Sequence, residues 1–367
     1  MAAKRILLAP LDWGYGHATR CIPIARELIT QGAEVLIGGT AESRKRILQA
    51  VPGLQEVELP GYDVRYSTTI PAWLKTGLSI PRIFRVIDKE HKALHQLMRS
   101  TEINGVISDN RYGLYNEAIK STIITHQLHP VFPRGLRKPG RILNNRLHQQ
   151  LSRFSQVWIP DEPPEAGILP IGNLSGGLSY PLPKGLNVEY TGLLSRFEPI
   201  NRLDSVTQDF DLVVVASGPS PQREELIRLA NHFVQNNKLK AAWLLPDTKG
   251  IAYISAGNGN IFVAPDDNKF LEVLSWSASI LCRSGYSSLS DWLVLKRGAI
   301  LVPTPGQTEQ EYLAQRLSVV PGFKVIRQGA LSASTWQMEG TTPEGENASS
   351  TYTNERLAQL IAAFLIK

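Results

Sequence analysis

Short apolar runs alternate along the chain with longer segments in which apolar residues recur every three or four positions. Ile6–Pro10, Glu34–Gly38, Leu54–Leu59, Gly105–Ser108, Ser121–Thr125 and Val157–Ile159 have the length and apolar character of buried strands. Between them, Cys21, Ile24, Ala25, Leu28 and Ile29 mark one helix face, with Pro23 tolerated in the first turn, and Glu42–Ala50 and Gly140–Phe154 also read as helices. From Ala72 to Val86 the chain mixes Trp73, Leu74, Leu78, Ile80, Ile83 and Phe84 with Lys75, Arg82 and Arg85. That pattern fits an amphipathic helix packed on the core, or alternatively a segment that faces a membrane or grips an acceptor. The second half repeats the alternation. Leu212–Ala216, Ala241–Leu245, Ile261–Ala264, Ile280–Cys282 and Ala299–Val302 read as strands, and helices are expected from about Gln222 and Ser287. A polar run, Ser332 to Ser350, reads as a loop before a last helix, Thr353–Ile366, with Leu357, Leu360, Ile361 and Phe364 on one side. Strands alternating with helices predict an α/β protein with parallel sheets.

A chain of 367 residues is too long for one ordinary core. A stretch dense in proline and glycine, from Pro160 to about Lys184, marks a connection. Two domains are therefore expected, 1–196 and 197–367, with 160–196 running towards the linker. Cys21 and Cys282 lie far apart and read as small buried hydrophobes in a reducing compartment. The N-terminus enters a strand without a signal-peptide pattern, and no apolar run is long enough to span a bilayer. The expected location is the cytoplasm, with peripheral contact to the inner face of a membrane as an option. The sequons at Asn173 and Asn347 then carry no meaning. The net charge of +6 is unevenly spread: no acidic residue lies between Glu117 and Asp161, where Lys120, Arg134, Arg137, Lys138, Arg141, Arg146 and Arg153 all occur. This stretch, 118–160, reads either as a solvated basic face or as a surface for an anionic acceptor, anionic lipid or nucleic acid. Only Phe132, Phe154 and Trp158 interleave aromatic character, and no nucleic-acid motif accompanies them, so nucleic acid is not the expected partner.

Candidate chemistry gathers at the turns that follow strands. Leu11 to Arg20 carries Trp13, Gly14, Tyr15, Gly16 and His17 between the first strand and the first helix. The glycines permit a tight bend. Two further strands end at Asp109 and His126, with Arg111 just beyond the first of them. Ligands of parallel α/β sheets sit beyond the carboxyl ends of strands, which puts Asp109 and His126 with His17. In the second half, Arg283, Ser284 and Gly285 turn into a helix that begins with Tyr286 and Ser287. Free backbone N–H groups and the positive end of the helix dipole make such a turn an anion site. Asp291, one turn further in, suits a ribose. The next strand breaks at Pro303–Gly306, and Gln307, Glu309, Gln310 and Glu311 follow as groups suited to sugar hydroxyls. Asp209-Phe210-Asp211 has a metal-binding spacing, but nothing else in the sequence supports a metal.

Arg283-Ser284-Gly285-Tyr286-Ser287-Ser288-Leu289-Ser290-Asp291, followed by Pro303-Thr304-Pro305-Gly306-Gln307, resembles the donor-binding half of the GT-B glycosyltransferases, family 28 most closely. That family includes the N-acetylglucosaminyltransferase of lipid II and the plant galactolipid synthases. Gly14-Tyr15-Gly16-His17-Ala18-Thr19-Arg20 resembles the acceptor loop of the same group. Ser217-Gly218 resembles its second glycine-rich loop, with Pro219 and Pro221 in place of some glycines, and Asp291 stands where Glu is commoner. The resemblance implies two Rossmann-like domains facing across a cleft, the N-terminal one binding the acceptor and the C-terminal one the donor. It implies transfer of a hexosyl or N-acetylhexosaminyl group from a nucleotide diphosphate sugar, UDP-linked, to an acceptor hydroxyl, with inversion and without a metal or other cofactor. His17 would be the base and Asp109 its partner. Trp13, Gly14, Tyr15, Gly16, Arg111 and His126 would meet the acceptor, which the basic stretch suggests is anionic or lipid-linked. Ser217, Gly218, Arg283 and the amides of Ser284–Tyr286 would hold the diphosphate. Ser287 would also meet the donor, Asp291 would bind the ribose, and Gln307, Gln310 and Glu311 the sugar. Two alternatives stay open. The loop Gly14–Cys21 equally resembles a UDP-sugar hydrolase of pseudaminic acid biosynthesis, and a non-enzymatic binding protein for nucleic acid or anionic surfaces would use the basic stretch.

Overall fold

The computed structural model describes residues 3–13, 15–62, 72–132, 137–167, 169–197, 209–255, 257, 259–277, 279–336 and 350–366. It divides into two compact units, one made of 1–64, 76–196 and 347–367 and the other of 65–75 and 197–346.

In the first unit β1 (Arg5–Pro10), α1 (Tyr15–Thr30), β2 (Glu34–Gly39), α2 (Ala41–Ala50), β3 (Gln55–Glu58), α3 (Ala72–Ser100), β4 (Gly105–Asp109), β5 (Lys120–Ile124), α4 (Arg137–Leu151), β6 (Gln156–Ile159) and β7 (Val188–Tyr190) follow in order. The seven strands form one parallel sheet in the order β3-β2-β1-β4-β5-β6-β7. The second unit holds β8 (Leu212–Val215), α5 (Gln222–Asn236), β9 (Ala241–Leu245), β10 (Gly259–Val263), α6 (Asp267–Ser275), β11 (Ile280–Cys282), α7 (Tyr286–Val294), β12 (Ala299–Leu301), α8 (Thr308–Leu317) and β13 (Phe323–Val325). Its six strands are also parallel, in the order β10-β9-β8-β11-β12-β13. Each sheet therefore reverses its strand order once, between β1 and β4 in the first and between β8 and β11 in the second. A crevice opens at that point in any such sheet.

The apolar runs are strands because both sheet faces are covered. Ile6, Leu8, Val35 and Ile37 pack on α1 from one side, while Leu7, Leu36 and Val106 pack with Leu94 of α3 on the other. In the second unit Leu212, Val214, Trp243 and Leu281 pack with Leu226, Ala230 and Phe233 of α5. Several elements differ from the sequence expectation, the helices α6 and α8 among them. The Ala72–Val86 helix continues to Ser100, and β7 and β13 were not expected, being three-residue strands with a charged residue at the centre, Glu189 and Lys324. Side chains at 72–81 lie outside the described residues, so the membrane-facing alternative for that segment does too.

Two further segments complete the first unit. The proline- and glycine-rich stretch after β6 belongs to the first unit. The Asp161 carboxylate accepts from Ser175 N at 2.6 Å, Ser175 Oγ at 2.5 Å and Glu162 N at 2.9 Å, closing residues 161–175 into a loop around a buried carboxylate. Asn173 is buried within it, at 1% exposure, which closes that sequon to modification. The last helix, α9 (Ser350–Leu365), packs on the first unit rather than on the second, where the division at 197–367 had placed it. Leu357, Leu360, Ile361 and Phe364 share a core with Ile6, Ile24 and Leu28, and the Phe364 ring meets Trp158 edge-on at 6.0 Å. Lys4 Nζ donates to Leu365 O, and Lys120 Nζ donates to Ala363 O at 2.6 Å. Both cations thus sit at the negative end of the α9 dipole.

Replacing Phe364 with Ala should cost about 3–5 kcal/mol, as for other buried aromatics. Hydrogen exchange is expected to show the loss in β1, β4 and β6, while the amides of β8 and β11 keep their protection.

Candidate functional site

In the first unit the residues at the strand-order reversal form one buried cluster of charge. β1 leads through Leu11–Trp13 into α1, and β4 ends at Asp109, whose carboxylate is fully buried. Arg20 donates from Nε to Asp109 Oδ2 at 2.7 Å, and its Nη2 donates to Asp109 Oδ1. His17 lies one turn earlier on α1. Its side chain is 17% exposed, with Nδ1 3.1 Å from Asp109 Oδ2 and 2.7 Å from Arg20 Nη2. His126, just past β5, lies with Nδ1 3.3 Å from Arg20 Nη1. The expected meeting of His17, Asp109 and His126 is therefore found, and Arg20 joins it as a fourth member that the sequence reasoning missed. Its signal was present, three residues after His17 and so on the same helix face.

Burial alone would push the Asp109 carboxyl up. The Arg20 guanidinium and then His17 outweigh burial and hold it below its ordinary value, so it is ionised. Burial is also the largest influence on His17 and holds its imidazole below the usual histidine value, against the attraction of Asp109 and with help from Arg20. The ring is thus neutral near pH 7, as a proton acceptor must be. Burial, then Asp109, pushes the Cys21 thiol well up, which removes it as a nucleophile.

Arg111 does not face a ligand. It is fully buried and donates from Nε to Pro10 O at 2.7 Å and from Nη1 to Pro60 O at 2.9 Å and Glu90 Oε1 at 2.8 Å. Glu90, from the middle of α3, also accepts from Tyr62 Oη at 2.8 Å and Gly113 N at 3.1 Å. A Cβ at Gly113 would fall 2.2 Å from Ile87 O, so only glycine lets this loop approach α3. Arg111 therefore fixes the loops around Asp109 instead of meeting an acceptor. Trp13 packs edge-on against Tyr62 at 6.2 Å, and its Nε1 makes no hydrogen bond among the described residues. Gly16 O accepts from Thr19 Oγ1 at 3.0 Å. Tyr15 opens α1 without a described side chain, and Gly14 lies outside the described residues.

In the second unit the loops after β8, β11 and β12 carry the expected donor residues. Gly218 has φ +102°, and a Cβ there would meet nothing within 4 Å. Gly285 caps α7 without a side-chain hydrogen bond, and a Cβ there would likewise meet nothing within 4 Å. There is therefore open space beside the N-cap of α7. Ser284 and Tyr286 are buried, and Ser284 Oγ donates to Gln310 O at 2.8 Å, so what they can offer an anion is backbone.

Arg283 departs from expectation. It is 3% exposed and donates from Nη1 to Val302 O at 3.0 Å and from Nη2 to Gln222 O at 2.8 Å, which lashes β11 to the end of β12 and the start of α5. Desolvation lowers it to about 10, still protonated at neutral pH. Gln310 Oε1 accepts from Thr304 N, and Glu311 Oε1 accepts from Gly306 N, both at 2.9 Å. These two side chains thus spend those oxygens on closing the Pro303–Gly306 turn. Gln307 and Ser287 are half-buried, and Asp291 is 7% exposed. Ser217 N donates to Val215 O at 3.1 Å.

Asp211 Oδ2 accepts from Lys240 N at 2.8 Å, which ties together the starts of the neighbouring strands β8 and β9. Among the described residues no group of three or more His, Cys, Asp and Glu is placed to hold a metal ion. The basic stretch is partly spent internally: Lys120 binds the end of α9, and Arg153 donates to Tyr115 Oη at 2.9 Å. Arg134 and the side chains of Arg137, Lys138 and Arg141 lie outside the described residues. No described helix is long and apolar enough to cross a membrane.

No family model matches the chain, and no curated protein matches it. Solved structures do. Arabidopsis thaliana UGT89C1 in complex with UDP-L-rhamnose is 12% identical over 99% of this chain and 99% of its own, with a TM-score of 0.63. MurG of Acinetobacter baumannii is 14% identical over 99% of this chain and 94% of its own, with a TM-score of 0.52. The spinosyn rhamnosyltransferase SpnG, complexed with thymidine diphosphate, is 14% identical over 98% of this chain and 91% of its own, with a TM-score of 0.59. At such identities the likeness is one of fold, and that fold is the GT-B fold of two Rossmann-like domains.

Arg111 offers the clearest test of the scaffold. Replacing it with Met strands Glu90 as an uncompensated buried acid and should cost about 3–5 kcal/mol in denaturant unfolding. Glu90→Gln with Arg111→Met should recover much of the loss.

Proposed function

We propose that this protein is a glycosyltransferase that moves a hexosyl or N-acetylhexosaminyl group from a nucleotide diphosphate sugar, UDP-linked, to an acceptor hydroxyl. The observation that carries the reading is the pair His17–Asp109 at the strand-order reversal of the first sheet. The open space beside Gly285, at the reversal of the second, supports it. The GT-B fold is the third support.

In this reading His17 takes the proton of the acceptor hydroxyl as that oxygen bonds to the anomeric carbon. The bond from that carbon to the diphosphate breaks, and the diphosphate departs with the electron pair. Attack opposite the leaving group inverts the centre. Asp109 steadies the imidazolium. The α7 amides and the helix dipole receive the leaving-group charge in place of a metal. Arg283 contributes by holding the loops that form this end, not by touching phosphate. Asp291 takes the ribose, and Gln307 is the side chain left for the sugar. The reaction belongs in the cytoplasm, with an anionic or lipid-linked acceptor as the class that the basic residues of α4 favour.

Thermal unfolding with and without UDP, GDP and TDP tests the donor half. A nucleotide at ~100 times its dissociation constant should add about 2.7 kcal/mol. UDP is expected to do so, and Asp291→Ala to remove the effect. No shift with any of the three would overturn the donor site. For the chemistry, His17→Ala should lower the rate of nucleoside diphosphate release about 10²–10⁴-fold while leaving the UDP shift in place. Because His17 is held below the ordinary histidine value, the acid limb of the wild-type rate profile should have its midpoint below that of an ordinary histidine, with the rate falling as pH drops through it. Release of free sugar without acceptor, at the rate seen with one, would mark a hydrolase instead.

A further inference from the structure

Two neighbours of His17 Nδ1 make opposite demands on it. Arg20 Nη2 lies 2.7 Å away and Asp109 Oδ2 3.1 Å away. A guanidinium nitrogen only donates, so the first contact needs a bare lone pair on Nδ1. An ionised carboxylate only accepts, so the second needs a proton there. A neutral imidazole carries a single N–H, which makes the two bonds alternatives, one for each tautomer.

We propose that Arg20 is a positioning residue that selects the ring tautomer of His17, holding Nδ1 as an acceptor and the ring proton on Nε2 in the ligand-free protein. The shorter contact is the one to Arg20, and Arg20 is not at liberty to leave it. Its side chain is 2% exposed, forks Asp109 through Nε and Nη2, and reaches His126 through Nη1. Withdrawing it would strip the buried Asp109 of its main counter-charge. The groups that face the ring are Arg20 from α1, Asp109 from β4 and His126 beyond β5. Nε2 of His17 makes no hydrogen bond with a described residue, so it is the nitrogen left for a substrate.

The functional consequence rests on the reading of His17 as base. Nε2 can take a proton only in the other tautomer, with Nδ1–H donated to Asp109. Moving between the two releases one proton from Nε2 and adds one at Nδ1, leaving the ring neutral. Arg20 Nη2 then keeps its bond to Asp109 and gives up the one to His17. Until that exchange the ring presents a donor to a stray water, not a base, which restrains hydrolysis of a bound donor.

The tautomer is read directly from long-range 1H–15N correlations of the full chain labelled with 15N-histidine, at about pH 8. Among the seven histidines, His17 is assigned by its loss in His17→Gln. The wild type is expected to show a bare Nδ1 and a protonated Nε2. Arg20→Lys keeps the charge against Asp109 but lacks the planar fork that reaches Nδ1. It should invert the pattern, and Arg20→Met should do the same. A wild-type ring with protonated Nδ1 and bare Nε2 overturns the proposal, whether or not either variant folds. An unchanged pattern in a folded variant also overturns it. An inverted wild-type pattern would leave the base reading standing, and failure of His17→Ala to lower the rate would leave the tautomer result standing.

Discussion

The negative charge of Asp109 has no contact with water, and the first unit is arranged to keep it ionised. A lone carboxylate at such a site would take up a proton, because desolvation of the charged form outweighs any fold-wide benefit. Arg20 reverses that balance with a two-point fork. Arg20, His17 and Asp109 come from α1 and the end of β4, and His126 brings in the end of β5. The charge therefore depends on strand order: β1 and β4 must be neighbours for the helix that follows β1 to lie over the carboxyl end of β4. The cluster in turn opposes any shift of those ends, since a misaligned fork would leave a buried charge without a partner.

The same logic recurs at Arg111 with Glu90, at Arg283, and at Arg297, which donates to Leu274 O at 3.1 Å and to Ser277 O. Buried guanidinium groups collect backbone carbonyls that the turns leave unpaired, and so hold loops that have little apolar surface of their own. Five donors in a rigid plane suit this work better than a single ammonium. The strand and helix ends that carry His17, Asp109 and Gly285 thus rest on polar ties beneath them, and the ligand-facing groups are the ones those ties leave over.

This explains what could be read from the sequence and what could not. Alternating apolar runs and helical periodicities express burial on both faces of a parallel sheet, so the strands of both units were legible from Ile6–Pro10 to Ala299–Val302. The strand-to-helix junctions were legible at Gly16, the second residue of α1, and at Gly285, the N-cap of α7. Arg111 and Arg283 were read as ligand-facing, since an arginine beside a motif looks the same whether it meets a phosphate or two backbone carbonyls from distant segments. Arg20 and Glu90 escaped for the converse reason: their partners lie 89 and 21 positions away. β7 and β13 escaped because a three-residue edge strand centred on Glu189 or Lys324 carries too little apolar pattern.

The place of α9 bears on how the chain is made. Its apolar face completes the core around Ile6, Ile24 and Leu28, yet it leaves the ribosome only after the whole of the second unit. During synthesis the first sheet must wait with that patch uncovered, while residues 197–346 can already fold as a body of their own. Closure of the first core therefore follows synthesis of the second unit, and the patch around Ile6, Ile24 and Leu28 stays uncovered until α9 has been made.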